Sequence, residues 1–255
     1  MIDALRSIWI WTSTLMLILF WFPLLAIIRL FDRDPVRYTT GRMFRRLGVY
    51  ITKANPLWTL NISGEKISDI RRPYVIVSNH QSFADIPLIA NLPWEMKWLT
   101  KIELFKLPVI GWMLRMSGDI PVDRKNKRAA AQAFIKAARY LSQKCSVIFF
   151  PEGTRSPDGL VHKFTDGAFQ LAIREQVPIL PLVVEGSRDC LPKKSWKFGK
   201  PKEIFLKVLP PVETTGLTSN DAGTLRENIR TLIIVQIASW RGIDPAEVDA
   251  TQNRS

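Results

Sequence analysis

Cysteine and histidine are scarce in this chain, with two of each among 255 residues. Cys145, Cys190, His80 and His162 are too few to supply the usual structural zinc patterns or a disulfide scaffold, and no metal or other cofactor is implied. Low-complexity and repeated stretches are absent, so neither disorder nor a solenoid is expected. The chain lacks a Gly-x-Ser-x-Gly elbow, a Gly-Lys-Ser/Thr phosphate loop and a dinucleotide fingerprint, which argues against a serine lipase, an NTPase and a dehydrogenase. Acidic residues are also short: 23 Asp and Glu face 36 Lys and Arg, for a net charge of +13. Such a surface attracts acidic partners, whether nucleic acid, anionic lipid or phosphate-bearing substrates. No nucleic-acid module signature is present, and aromatics do not interleave with basic residues as a stacking platform requires, so nucleic acid is not the expected partner.

What is present begins at the N-terminus. Ser7 to Ile28 is a run of 22 residues without a formal charge, carrying Trp9, Trp11, Phe20, Trp21 and Phe22. As a helix it would extend about 33 Å, close to the thickness of a hydrocarbon core. Arg6 alone precedes the run, whereas Arg29, Arg33, Arg37, Arg42, Arg45 and Arg46 follow it. That bias places the rest of the chain on the cytoplasmic face, which is the inner membrane in a bacterium. Pro23 can kink the helix, so a full span and a helix that enters without crossing both remain open. Residues 41–53 then set Met43, Phe44, Leu47, Tyr50 and Ile51 on one helical face and Arg42, Arg45, Arg46 and Lys53 largely on the other. The pattern predicts an interfacial helix whose arginines meet anionic head groups, or a stripe packed on the soluble body.

Beyond Pro56, short apolar runs alternate with amphipathic stretches, the grammar of an α/β sheet. Strands are expected at Tyr74–Ser78, Met96–Thr100, Asp119–Val122, Val147–Phe150, Ile179–Val184 and Ile204–Val208. Helices are expected near 84–91, 126–144 and 166–176, and again from Thr218 onward, where Asp221 forms a capping pair. The chain thus divides into residues 1–56 for membrane attachment, 57–245 for one α/β body, and a polar tail at 246–255 expected to fray.

Three strand ends carry chemistry. The strand Tyr74–Ser78 runs into Asn79-His80 and on to Asp85, so a histidine sits where open α/β sheets place their sites. His80 and Asp85 would lie some 140° apart on a continuous helix and can meet only through a turn, for which Ser82 is a candidate N-cap. Asp85 would then hold the His80 tautomer and leave Nε2 free to take a proton from an alcohol; a structural hydrogen bond is the plainer alternative. The second strand end is Phe149-Phe150-Pro151-Glu152-Gly153-Thr154-Arg155-Ser156, whose backbone N–H groups suit a phosphate or an oxyanion, unless it is an ordinary Pro-Glu-Gly turn. The third is Gly118 to Arg124, ending in the forked donors of Arg124, which is otherwise a surface charge paired with Asp123. His162, in a Gly-Leu-Val-His-Lys loop, reads as a surface residue without an acidic partner, and the two cysteines as packing or loop residues.

Taken together with Val177-Pro178-Ile179-Leu180-Pro181, these blocks resemble the 1-acyl-sn-glycerol-3-phosphate acyltransferase (PlsC-like) family of glycerolipid acyltransferases. His80 and Asp85 fit its His-x4-Asp block, and Gly118–Arg124, Phe150–Ser156 and Val177–Pro181 fit the three that follow in order. Lys101-Ile-Glu-Leu-Phe-Lys-Leu-Pro-Val-Ile-Gly-Trp112, between the first two, is also similar. The resemblance covers about residues 57 to 210 and implies a mixed sheet flanked by helices. It implies direct transfer of an acyl chain, from acyl-CoA or acyl-carrier protein, to the sn-2 hydroxyl of lysophosphatidate. His80 would be the general base, Asp85 would orient it, and no acyl-enzyme would form. Arg124, Glu152, Gly153, Thr154 and Arg155, with Lys101 nearby, would bind the acceptor's phosphate and glycerol, Glu152 ordering Arg124, Arg155 or a glycerol hydroxyl. The Pro178–Pro181 block would be structural rather than chemical, a strand lining the acyl-chain cleft. The rival readings are the same chemistry on another lysophospholipid or lyso-aminolipid, and a catalytically idle, basic membrane-bound binding module.

Overall fold

The computed structural model describes residues 2–123, 125–191 and 195–252. In chain order the elements are α1 (Ile2–Phe31), α2 (Tyr38–Ala54), β1 (Trp58–Gly64), β2 (Val75–Ser78), α3 (Asp85–Ile89), β3 (Met96–Lys101), α4 (Ile110–Ser117) and β4 (Ile120–Val122). They continue with α5 (Lys127–Ser142), β5 (Ser146–Phe149), α6 (Gly167–Glu175), β6 (Ile179–Glu185), α7 (Ser187–Cys190), β7 (Lys202–Val208), α8 (Ala222–Arg241) and α9 (Pro245–Val248). The strands form one sheet in the order β1-β7-β6-β2-β5-β3-β4. The five from β6 to β4 are parallel, and β7 turns back antiparallel on β6 with β1 parallel beside it. The carboxyl ends of five strands therefore share one edge.

Both faces of this sheet are covered, which is why its central strands are apolar without interruption. Val75, Val77, Val147 and Val183 point to one face, under Ala137 of α5, Phe169 of α6 and Ile229 of α8. Ile76, Ile148, Leu180 and Leu182 alternate to the other, under Leu88 of α3 with Trp94 and Trp98. The strand of the Val177–Pro181 block is thus buried between both cores, because β6 lies mid-sheet between β2 and β7. The six expected strands are present with ends shifted by a residue or two, joined by β1 at the edge. A capping box of Thr218 and Asp221 leads into α8 as expected.

Two expectations are corrected. The C-terminal residues do not fray over the described stretch: Val248 is fully buried, and Asp249 pairs with Arg230 of α8 and meets Val161 through a backbone bridge. A buried arginine needs that carboxylate, and the need holds the tail down. The arginines of α2 do not all face outward either. Arg45 is buried and ion-paired with Asp119, with Glu95 3.7 Å away, and Lys97 pairs with Glu95 at 2.9 Å. Arg42 donates to the Leu92 carbonyl at 2.8 Å. The apolar face of α2 packs on α1 and α4 instead, with Leu47 meeting Trp21, Leu25 and Met113.

Helix α1 is long and apolar enough to cross a membrane by length and composition. One of its stripes is nonetheless occupied by protein: Ser7, Ile10, Trp21 and Leu25 are buried, Ile10 against Leu57 and Phe198 and Trp21 against α2. The opposite stripe, including Trp9, Met16, Phe20 and Leu30, is exposed.

Candidate active site

Strand β2 delivers the chain to the carboxyl edge at Ser78, and Asn79 clasps the next strand. Its side-chain amide donates to the Val184 carbonyl at 2.8 Å, and its Oδ1 accepts from the Val184 N–H at 2.9 Å. The chain then turns before α3 begins at Asp85, which removes the helical separation of His80 from Asp85. Ser82 takes part in that turn: its Oγ accepts from Ala84 N–H at 3.3 Å and its carbonyl accepts from Asp85 N–H at 3.2 Å.

His80 Nδ1 lies 2.7 Å from Asp85 Oδ2. The same oxygen accepts the backbone N–H groups of Gln81 at 2.8 Å and Ser82 at 3.0 Å, while Oδ1 accepts the Ser187 hydroxyl at 2.5 Å. With the carboxylate accepting, Nδ1 carries the ring proton and Nε2 presents its lone pair. Nε2 makes no hydrogen bond among the described residues. The imidazole is stacked on Phe150, ring centroids 4.0 Å apart and planes 20° apart, which fixes its tilt. Asp85 is fully buried, and the His80 side chain is 14% exposed. The pair therefore reaches the surface through the imidazole alone.

The loop after β5 is fastened to this one. Gly153 turns at φ 74°, in the left-handed region that favours glycine. Ser156 N–H donates to the His80 carbonyl at 2.7 Å. Glu152 bridges the loops, its Oε1 accepting the N–H of His80 at 2.8 Å and its Oε2 that of His162 at 3.2 Å. Among the described residues, then, its two oxygens order backbone. Burial pushes its carboxyl up to about 8, against the pull of those two N–H donors. Arg155 stacks on the Phe83 ring at 3.9 Å, Thr154 is exposed, and Lys101 ends β3 exposed at the same edge. Arg124, two residues past β4, lies outside the described residues.

His162 does have an acidic partner, Asp158 at 2.9 Å from its Nε2, four residues earlier in the chain. Cys145 and Cys190 are buried, and burial pushes both thiols up to about 12, far from nucleophilic use. A cleft of about 460 Å³ between α5 and α6, lined by Phe134, Gly167 and Leu171, does not include His80. It offers little but apolar wall, so chemistry and not cavity size locates the site. Sequence reasoning missed Asn79 and Ser187, although Glu185-Gly186-Ser187 repeats the strand-then-glycine pattern seen after β5 at Glu152-Gly153-Thr154.

Both loops fall within the stretch that the Acyltransferase family profile matches, residues 59–185. Through those residues the chain belongs to the Acyltransferase family. It is 34% identical over 169 residues to the chloroplastic 1-acyl-sn-glycerol-3-phosphate acyltransferase of Arabidopsis thaliana, which is 65% of this chain and 46% of that protein. It is 38% identical over 161 residues to the human 1-acyl-sn-glycerol-3-phosphate acyltransferase alpha, 62% of this chain and 56% of the other. The chain thus spans about half the length of the curated relatives it matches. The crystal structure of the 1-acyl-sn-glycerophosphate acyltransferase PlsC from Thermotoga maritima is similar with a TM-score of 0.79 at 26% identity, covering 94% of this chain and 96% of that one. As an Acyltransferase-family fold, the mixed α/β sheet with its flanking helices agrees with that structure, while Ser187 lies just past the family match.

Proposed function

We propose that this protein transfers an acyl chain from acyl-CoA or acyl-carrier protein to the sn-2 hydroxyl of lysophosphatidate, forming phosphatidate. The observation that carries the reading is a histidine whose Nδ1 is committed to a buried carboxylate at 2.7 Å while Nε2 is left unspent at the surface. An alcohol near its ordinary pKa is a poor nucleophile at neutral pH, and a positioned base remedies that. Nε2 takes the hydroxyl proton as the oxygen attacks the thioester carbonyl. Collapse of the tetrahedral intermediate expels the thiolate, which takes the proton back from the imidazolium, leaving an ester and a free thiol. No acyl-enzyme is needed on this route, and the two buried hydroxyls beside the pair are engaged elsewhere, Ser187 on Asp85 and Ser82 on the Leu191 carbonyl at 3.3 Å. Arg155 and Lys101, joined by Arg124, supply the positive charge for the acceptor phosphate. Glu152 stays out of that contact and keeps the two loops in register.

The acceptor assignment draws on what the relatives in Arabidopsis thaliana and human are named for. The membrane is the source of that acceptor. One stripe of α1 is packed on the body from Ser7 to Leu25, a stretch of about 27 Å, which supports a helix that enters one leaflet by its exposed stripe without crossing. The body stays on the cytoplasmic face, with His80 close to the bilayer surface. Offering the purified protein a panel of lysolipids, with acyl-CoA and then acyl-carrier protein as donor, tests this reading by mass spectrometry of the products. Phosphatidate as the dominant product supports it; a product built on a different head group moves the acceptor, and no product from either donor removes the reading.

A further inference from the structure

The described partners of Asp85 other than Ser187 all belong to the loop that carries His80. Ser187 comes from the end of β6, 102 residues away in sequence, is fully buried, and donates to the carboxylate oxygen that His80 does not use. Its position is fixed by Gly186, at φ 88°, where a Cβ would stand 2.6 Å from the Glu203 carbonyl oxygen. The same strand end grips the His80 loop twice more, through Val184 to Asn79 and through Glu185, whose Oε2 accepts from the Gln81 side chain at 2.9 Å. Arg241 of α8 holds Glu185 in turn, at 2.9 Å on each carboxylate oxygen.

Resting on the reaction proposed above, we infer that Ser187 is a positioning residue of that reaction: its hydroxyl fixes the second oxygen of Asp85, and through it aims and tunes the His80 imidazole. Two contacts are needed to stop a carboxylate rotating about its bond. His80 itself and its own loop supply one side, and a loop that moves as a unit cannot brace itself. Ser187 supplies the other side from α7, just past the end of β6. It also draws electron density from Oδ1, so Asp85 pulls less on the Nδ1 proton than an unbraced carboxylate would. Loss of the hydroxyl leaves a carboxylate oxygen buried without its partner, which raises the basicity of the His80–Asp85 pair. Among the described residues, the charged and titratable groups around the pair include Glu152 from the loop after β5, Glu185 and its partner Arg241, Cys190 of α7, and Arg155 on Phe83. All of them stay in place in the test.

Ser187→Ala is expected to lower kcat about 10- to 100-fold, the scale of a lost hydrogen bond to a charged group. KM for both substrates should change little, and the acid limb of the pH–kcat/KM profile should move to higher pH. Ser187→Thr, which keeps the hydroxyl, should restore most of the turnover. In an Asp85→Asn background, Ser187→Ala should add almost nothing, since the serine acts only through the carboxylate. A full, additive loss in that background, or a Ser187→Ala enzyme with wild-type kcat and an unmoved acid limb, overturns the inference. Unfolding transitions check that each variant is folded, and Ser187→Cys, a weaker donor, carries the same criteria if Ala does not fold. An NMR titration of His80 separates failure of this inference from failure of the acyltransfer reading. A His80 titration raised in Ser187→Ala upholds the contact even in a protein with no transfer activity, and an unmoved one overturns it.

Discussion

Two buried networks of ionisable groups stand at opposite edges of the same sheet. At the amino-terminal edge, Arg45 of α2 and Lys97 of β3 meet Glu95 and Asp119, with Lys97 also donating to the Ser117 carbonyl at 2.7 Å and Asp119 accepting the Trp98 N–H at 2.9 Å. At the carboxyl edge, His80 meets Asp85, held by Ser187, Gln81 and Ser82. Both are dense in hydrogen bonds and both include a carboxylate with essentially no exposure. The first sets two cations against two anions beneath α2, and the atoms it leaves without a hydrogen bond, Arg45 Nε and Glu95 Oε2, are buried. The second ends in an imidazole nitrogen that has no hydrogen-bond partner among the described residues and belongs to a side chain that reaches the surface. The two are alike in charge and burial and differ in where their unbonded atoms lie.

The largest way to break the contrast is at Asp85. Asp85→Asn should lower acyl transfer about 10²- to 10⁴-fold, because His80 loses the acceptor that sets its tautomer. Initial rates at saturating substrates measure it, and a loss of only a few-fold would make the pair structural like its counterpart. Arg45→Met is the complementary cut. Removing one partner of a buried cluster should cost about 3–5 kcal/mol of folding stability, read from denaturant midpoints. Specific activity of the protein that remains folded should stay near wild type, and a collapse of turnover in a stable variant would join the two networks into one site.

Glu152 sharpens the comparison further. Its folded carboxyl is raised to about 8 from an ordinary 4.5, so the folded state keeps a proton that the unfolded chain releases in between. Stability is therefore fully present below about pH 4.5 and declines as pH rises toward about 8. Melting temperatures across that window should fall in the wild type, and Glu152→Gln should flatten the slope; an equal slope in both proteins would assign it to other groups. The smallest effect on chemistry is expected from α1. Met16→Glu with Phe20→Glu places charge on its exposed stripe and should weaken vesicle binding by roughly tenfold or more. Transfer to acceptor in detergent micelles should hold, and unchanged sedimentation with vesicles would place the membrane contact elsewhere.

The sheet was largely legible in the sequence because buried parallel strands read as unbroken apolar runs, as in Tyr74–Ser78 and Ile179–Val184. Strand β1 escaped, although Trp58, Leu60 and Ile62 alternate with polar residues, because an edge strand with an exposed face carries a weaker signal. Helical periodicity found α2 but misjudged Arg45, since a pattern of charges says which face is polar and not whether a carboxylate waits across from it. Asp119 and Glu95 lie 74 and 50 residues away, a pairing that only the fold creates. The His80–Asp85 pair was visible because both members sit on one turn. Ser187 was not, since its role exists only where β6 ends beside β2.

The most direct measurement is acyl transfer to lysophosphatidate in detergent by the wild type beside His80→Ala, with the product identified by mass spectrometry and both proteins shown to unfold at similar denaturant concentration. Phosphatidate is expected from the wild type, and a rate lower by about 10²- to 10⁴-fold or more from the variant. Comparable phosphatidate from a folded His80→Ala protein would contradict His80 as the general base.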